Sequence, residues 1–171
     1  MSKSDRDVEF TSFVERASQG LLRYCYLLTG QDASAQDLLQ ASLVKVYESW
    51  SKIRDPGAVD AYAKTVITRT HVSTARRGGS REVVTDQVPD RIHSDGGHLD
   101  LQDAMWRLLA QLGPRQRSAL VLRFYDDLPL AEIAVILGCS VGTVKSQISR
   151  GLTRLRELVP DADLLTEESS S

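Results

Sequence analysis

Apolar residues recur at intervals of three and four along most of this chain, the period of a helix that buries one face. Phe10, Phe13, Val14, Ala17, Leu21, Tyr24, Cys25 and Leu28 follow that period, and Gly30 closes the segment. Leu38, Leu39, Leu43, Val46 and Tyr47 predict a second helix over 34–50. Asp55-Pro56-Gly57 reads as a turn. A third helix is expected over 58–77. Three such helices suffice to bury one small core. Residues 78–98 hold four Gly, one Pro and no helical period, which reads as a flexible linker. Beyond it, Leu101, Met105, Leu108, Leu109 and Leu112 predict another helix, which Gly113-Pro114 breaks. Ala119, Leu120, Leu122 and Phe124 then mark a helix over 114–125.

The stretch 129–158 is the most informative. Pro129 suits a helix start, and Leu130, Ile133, Ala134 and Leu137 share one face. Gly138-Cys139-Ser140 follows. Gly138 can supply the positive φ that ends a helix, and Ser140 can cap the next one. In that next helix Val141, Val144, Ile148, Leu152 and Leu155 fall within a wedge of about 60°. The opposite face carries Thr143, Ser146, Ser149, Arg150, Thr153 and Arg154, flanked by Lys145 and Gln147. This is a helix-turn-helix, whose second helix commonly enters the DNA major groove. Arginine pairs bidentately with guanine, and hydroxyls contact bases or phosphates. The amides after Ser140 point out of the helix start and suit a phosphate.

Charge sharpens this picture. The chain totals −2 over 171 residues, an odd sum for a free-standing DNA binder. Residues 61–81 carry five basic residues and no acidic one, and residues 107–156 carry eight basic against three acidic. Between them, residues 82–106 carry six acidic residues against Arg91 alone, and the last fifteen carry five acidic and no basic. Two DNA footprints joined by a segment that avoids DNA need such a pattern. The expected fold is all-α: a three-helix domain over 5–77 and a four-helix domain over 99–159, joined by the flexible acidic linker 78–98. A disordered acidic tail is expected over 160–171.

Several function classes drop out. No apolar run has transmembrane length, and the N-terminus has no signal-peptide core, so a cytoplasmic protein without membrane insertion is expected. Cys25 and Cys139 lie far apart and outside any CxxC or Cys/His cluster, which reads as two reduced thiols. His71, His93 and His98 form no metal-ligand spacing. No nucleophile–base pair and no phosphate-binding Gly loop stands out, so no catalytic residue, metal or cofactor is expected and the chain is not read as an enzyme.

The residues also match a known family. The segment LGPRQRSALVLRFYDDLPLAEIAVILGCSVGTVKSQISRGLTRLREL resembles region 4 of the extracytoplasmic-function (ECF) sigma factors, small bacterial RNA polymerase initiation factors. DLLQASLVKVYESW resembles region 2.2, with Ala41 where an acidic residue commonly stands, and AYAKTVITRTHVSTARR resembles regions 2.3 and 2.4. The resemblance implies that Thr143, Lys145, Ser146, Ser149, Arg150 and Arg154 meet the −35 promoter element, with Arg115 and Arg117 on phosphates. It implies that Lys64, Arg69, Arg76 and Arg77 hold the −10 strand, and that the loop Arg54–Asp60 captures an unstacked base. It implies that Asp37, Leu39, Gln40 and Leu43 face the β′ coiled coil of core polymerase. The partners it implies are core RNA polymerase (β′ coiled coil and β flap), promoter DNA and an anti-sigma factor. The alternative is an autonomous helix-turn-helix regulator, which predicts a dimer that binds duplex tightly without polymerase.

Overall fold

The computed structural model describes residues 2–77 and 107–159. The linker expected at 78–98 and the tail expected at 160–171 lie outside the described residues. The chain divides into two compact units, Met1–Asp90 and Arg91–Ser171. Among the described residues every regular element is helical, as the apolar period predicts.

The first unit is built from α1 (Lys3–Thr29), α2 (Asp32–Glu48) and α3 (Val59–Arg77). α1 starts a full two turns before the first periodic apolar residue. Ser2 Oγ accepts from Asp5 N, and the Asp5 carboxylate accepts from Ser2 N, a reciprocal cap that satisfies two donors of the helix start. Those early turns are tied to α2. Arg6 Nη2 donates to Tyr47 Oη at 3.1 Å, and Tyr47 Oη donates to the Asp7 carboxylate. Phe10 meets Tyr47 and Trp50 edge-on at 5.0 and 5.2 Å. Gly30 ends α1 at φ 79°, donating its N–H to Tyr26 O. A side chain at that φ would be strained, so glycine belongs there.

Phe13, Leu21, Tyr24, Cys25, Leu28, Leu38, Val46 and Ile67 fill the core between the three helices. Polar groups are buried with them, the Tyr24 and Thr68 hydroxyls among them. Thr68 donates to Lys64 O at 2.9 Å, which leaves the Tyr24 hydroxyl as donor in the 2.8 Å bond to Thr68 Oγ1. Burial pushes the Cys25 thiol up from 9.0 to about 12, because no water remains to solvate a thiolate. Protonated Cys25 therefore favours the folded state up to pH 9, and that contribution is lost as pH rises from 9 towards about 12. At neutral pH an aromatic disulfide reagent should label Cys139, which is half-buried, and spare Cys25 until denaturant is added. Equal labelling of both thiols in the native protein would contradict this packing.

In the second unit residues 107–110 are helical, and α4 (Pro114–Leu120), α5 (Leu130–Leu137) and α6 (Val141–Leu158) follow. The helix expected over 114–125 is shorter than its apolar pattern. After Leu120 the backbone widens into a π-turn over Val121–Tyr125, where Asp126 N reaches back to Val121 O. Ala119, Leu120 and Leu122 are buried, but the widening turns Phe124 and Tyr125 outward, 60% and 55% exposed. Gly151 explains how closely α6 packs on α4. A Cβ there would stand 2.9 Å from Leu120 Cδ1 and 3.6 Å from Gln116 Cβ. A mid-helix glycine costs about 1 kcal/mol of propensity, and the close approach is what requires it. Among the described residues no single helix is long and apolar enough to cross a membrane.

Candidate nucleic-acid interface

α5 and α6 meet at 98°, within the range of helix-turn-helix units. The turn forms as its residues predict. Gly138 takes φ 65° and donates to Val135 O, and Cys139 N reaches Ala134 O. Ser140 Oγ accepts from Thr143 N at 3.1 Å and starts α6. Ile133, Ala134, Leu137 and Val144 are buried beneath the turn, while Ile148, Leu152 and Leu155 are half-buried. Val141 departs from the expected core face and is 39% exposed, because it lies at the first position of the helix, beyond the reach of α5.

The outer face of α6 is polar along its length. Lys145, Ser146, Ser149, Arg150, Thr153 and Arg154 are exposed, and Thr143 is half-buried beside its cap. Arg154 Nη1 pairs with Glu157 at 3.3 Å, and Thr153 donates to Ser149 O. Lys145 and Arg150 make no hydrogen bond or ion pair among the described residues. Arg115 lies half-buried in the first turn of α4. Arg117 does not join this surface. It is 3% exposed, and its Nε and Nη2 donate to the carbonyls of Leu109 and Leu112 at 2.9 and 2.8 Å. Its guanidinium caps the segment before α4, and its reading as a phosphate contact is withdrawn.

On α3, Arg69, Arg76 and Arg77 are exposed. Arg69 and Arg76, seven residues apart, lie within about 20° of each other around the helix. Lys64 stands roughly 140° from Arg69 on that wheel. It is half-buried, with Nζ 5.4 Å from the centre of the Tyr24 ring. The geometry thus gathers Arg69 and Arg76 but sets Lys64 apart. The loop before α3 is ordered by its own residues. Asp55 Oδ1 accepts from Gly57 N at 2.9 Å, Pro56–Ala58 form a 3-10 turn, and Val59 is buried.

On α2, Asp37 and Gln40 are exposed and Leu43 is half-buried. Leu39 is only 9% exposed and packs with the core, so it is removed from the docking face. Adjacent leucines at 38 and 39 leave the helical period ambiguous, and both turn inward. Val44, which the apolar pattern did not single out, is 58% exposed on the same stripe as Asp37 and Gln40. Among the described residues no group of three His, Cys, Asp or Glu is placed to hold a metal.

The first helical unit ends in a cationic helix and the second in a helix-turn-helix, so each offers a surface suited to nucleic acid. Comparison with known proteins makes this specific. The family described as Sigma-70 region 2 matches residues 13–81, and Sigma-70 region 4 matches residues 102–155. An RNA polymerase sigma-E factor of Streptomyces avermitilis is 38% identical over 158 residues, covering 92% of this chain and 88% of that protein. The ECF sigma factor SigL of Mycobacterium tuberculosis is 32% identical over 146 residues, covering 80% of each. The structure of the sigma factor RpoE in complex with the anti-sigma factor NepR, from Bartonella quintana, superposes with a TM-score of 0.67 at 28% identity. It covers 90% of this chain and 98% of that one. The chain belongs to the ECF sigma factor family, whose members are transcription initiation factors. The relatives favour this reading over an autonomous regulator.

Proposed function

We propose that this chain joins core RNA polymerase in the bacterial cytoplasm and directs it to promoters through two separate DNA contacts. Residues 5–77 work as region 2 and residues 99–159 as region 4. The observation that carries the reading is the outer face of α6, where hydroxyls and unpaired cations stand exposed above a fully buried Val144. Thr143, Lys145, Ser146, Ser149, Arg150 and Arg154 read and grip the −35 element, with Arg115 on its phosphates. Arg69, Arg76 and Arg77, with Lys64 at the α1 side, hold the −10 strand, and the 54–58 tip takes an unstacked base. Asp37, Gln40 and Leu43, joined by Val44, dock on the β′ coiled coil. An anti-sigma factor fits the same scheme, since the RpoE relative is held by one.

Footprinting of the holoenzyme on a promoter it uses tests the assignment. Two protected patches are expected. Ser146→Asp with Ser149→Asp should erase the upstream patch, and Arg76→Asp with Arg77→Asp the downstream patch. Each pair should spare the other patch. Loss of both patches with either pair would contradict separate contacts.

A further inference from the structure

The loop leading into α3 is held at both ends by neighbouring turns of α1. Upstream, Trp50 heads a 3-10 turn and its ring packs on Phe13 at 5.3 Å. Downstream, Asp60 lies in the first turn of α3 and accepts from Arg16 Nη1 at 3.2 Å. Arg16 also stands over the Phe13 ring, with Cζ 5.6 Å from its centre. The two anchors therefore share one platform, although Arg16 and Asp60 are 44 residues apart in sequence. Between the anchors the tip is exposed from Arg54 to Ala58. Its internal shape is closed by the bond from Gly57 N to Asp55. Its placement depends on what holds its ends.

The two anchors differ in kind. Phe13 and Trp50 are 5% and 8% exposed, so the core fixes that end. The Arg16 and Asp60 side chains are 59% and 47% exposed. Such a pair adds little to folding. It is well suited to steering a loop, because it fixes one direction of approach at the surface.

We propose that Arg16 is a positioning residue for capture of the −10 base. Acting through Asp60 and the Phe13 face, it sets where the 54–58 tip meets the unstacked strand. This rests on the assignment of that tip to the −10 element. Extruding a base is costly, and a shaped pocket repays the cost only when it is in register with the strand. With Val59 buried, loss of Arg16 leaves the loop attached and removes only the surface contact that sets its approach, so discrimination falls before binding.

The readout is the ratio of holoenzyme initiation on a promoter with its own −10 element to that on one with the element substituted. Arg16→Ala should lower this ratio about three- to fivefold, the scale of an exposed ion pair. The upstream footprint and the thermal midpoint should not change. Arg16→Lys should restore part of the ratio, and Arg16→Asp combined with Asp60→Arg should restore most of it. Ala58→Glu, at the exposed tip, tests the underlying assignment. If Ala58→Glu leaves the ratio unchanged, the tip does not read the −10 element and the proposal falls with that assignment. If Ala58→Glu collapses the ratio while Arg16→Ala leaves it intact, the assignment stands and the role of Arg16 is overturned.

Discussion

Arg150→Ala is expected to lower holoenzyme use of a cognate promoter by about 5- to 150-fold, the equivalent of about 1–3 kcal/mol for a bidentate base contact. The argument starts from exposure and freedom. Arg150 projects from the outer face of α6, and no partner among the described residues competes for its guanidinium. Arg154 on the same face shares its charge with Glu157 and should matter less. The mark of base reading is selectivity. Arg150→Ala should relax preference at one −35 position, whereas Arg115→Ala should weaken all templates alike and flatten the salt dependence. A titration of promoter variants against salt separates the two. Uniform weakening by Arg150→Ala would move Arg150 to the phosphate set.

Arg117→Met should act in another way, by undoing the fold of the second unit. The guanidinium is buried and donates to two main-chain carbonyls, those of Leu109 and Leu112. Methionine fills much of the volume but donates nothing, so Leu112 O loses its Arg117 donor while Leu109 O keeps only the Leu112 amide. Leaving a buried acceptor short of its donor costs about 1–3 kcal/mol, a sizeable part of the stability of a small domain. Urea unfolding followed by circular dichroism should show a lower midpoint for the second unit. A stable Arg117→Met variant with weakened DNA binding would restore Arg117 to the interface and contradict the buried cap.

These two arginines mark the reach of sequence reading for this chain. The helix-turn-helix was legible because its signals are local. Gly138 for the left-handed turn, Ser140 for the cap and the Val144 stripe all point to one geometry, and the structure realises it. The start of α1 was also written locally, in the Ser2 and Asp5 reciprocal cap, ahead of the apolar period that begins at Phe10. Arg117 was not legible. An arginine at a helix start is usually exposed, and only the fold brings the Leu109 and Leu112 carbonyls to it. Gly151 hid for the same reason, since a glycine inside a helix explains itself only when Leu120 is seen against it. Leu39 and Phe124 show the limit of a wheel. Neighbouring apolar residues leave the buried arc open, and the π-turn after Leu120 rotates Phe124 away from the core.

The aromatic cluster of Phe10, Phe13, Tyr47 and Trp50 links these structural points to function. It joins the early turns of α1 to the end of α2, and its Phe13 ring carries Arg16 toward the loop before α3. Packing in the first unit thereby positions both the α2 stripe proposed to dock on polymerase and the loop proposed to take the −10 base.

The most direct test is promoter-directed transcription in vitro, with bacterial core polymerase, this protein and a library of genomic templates. The account predicts discrete start sites that appear only when the protein is added. It also predicts that a substitution on the docking stripe, such as Asp37→Arg, abolishes them. No association with core polymerase and no initiation, together with tight sequence-specific duplex binding by the protein alone, would contradict it.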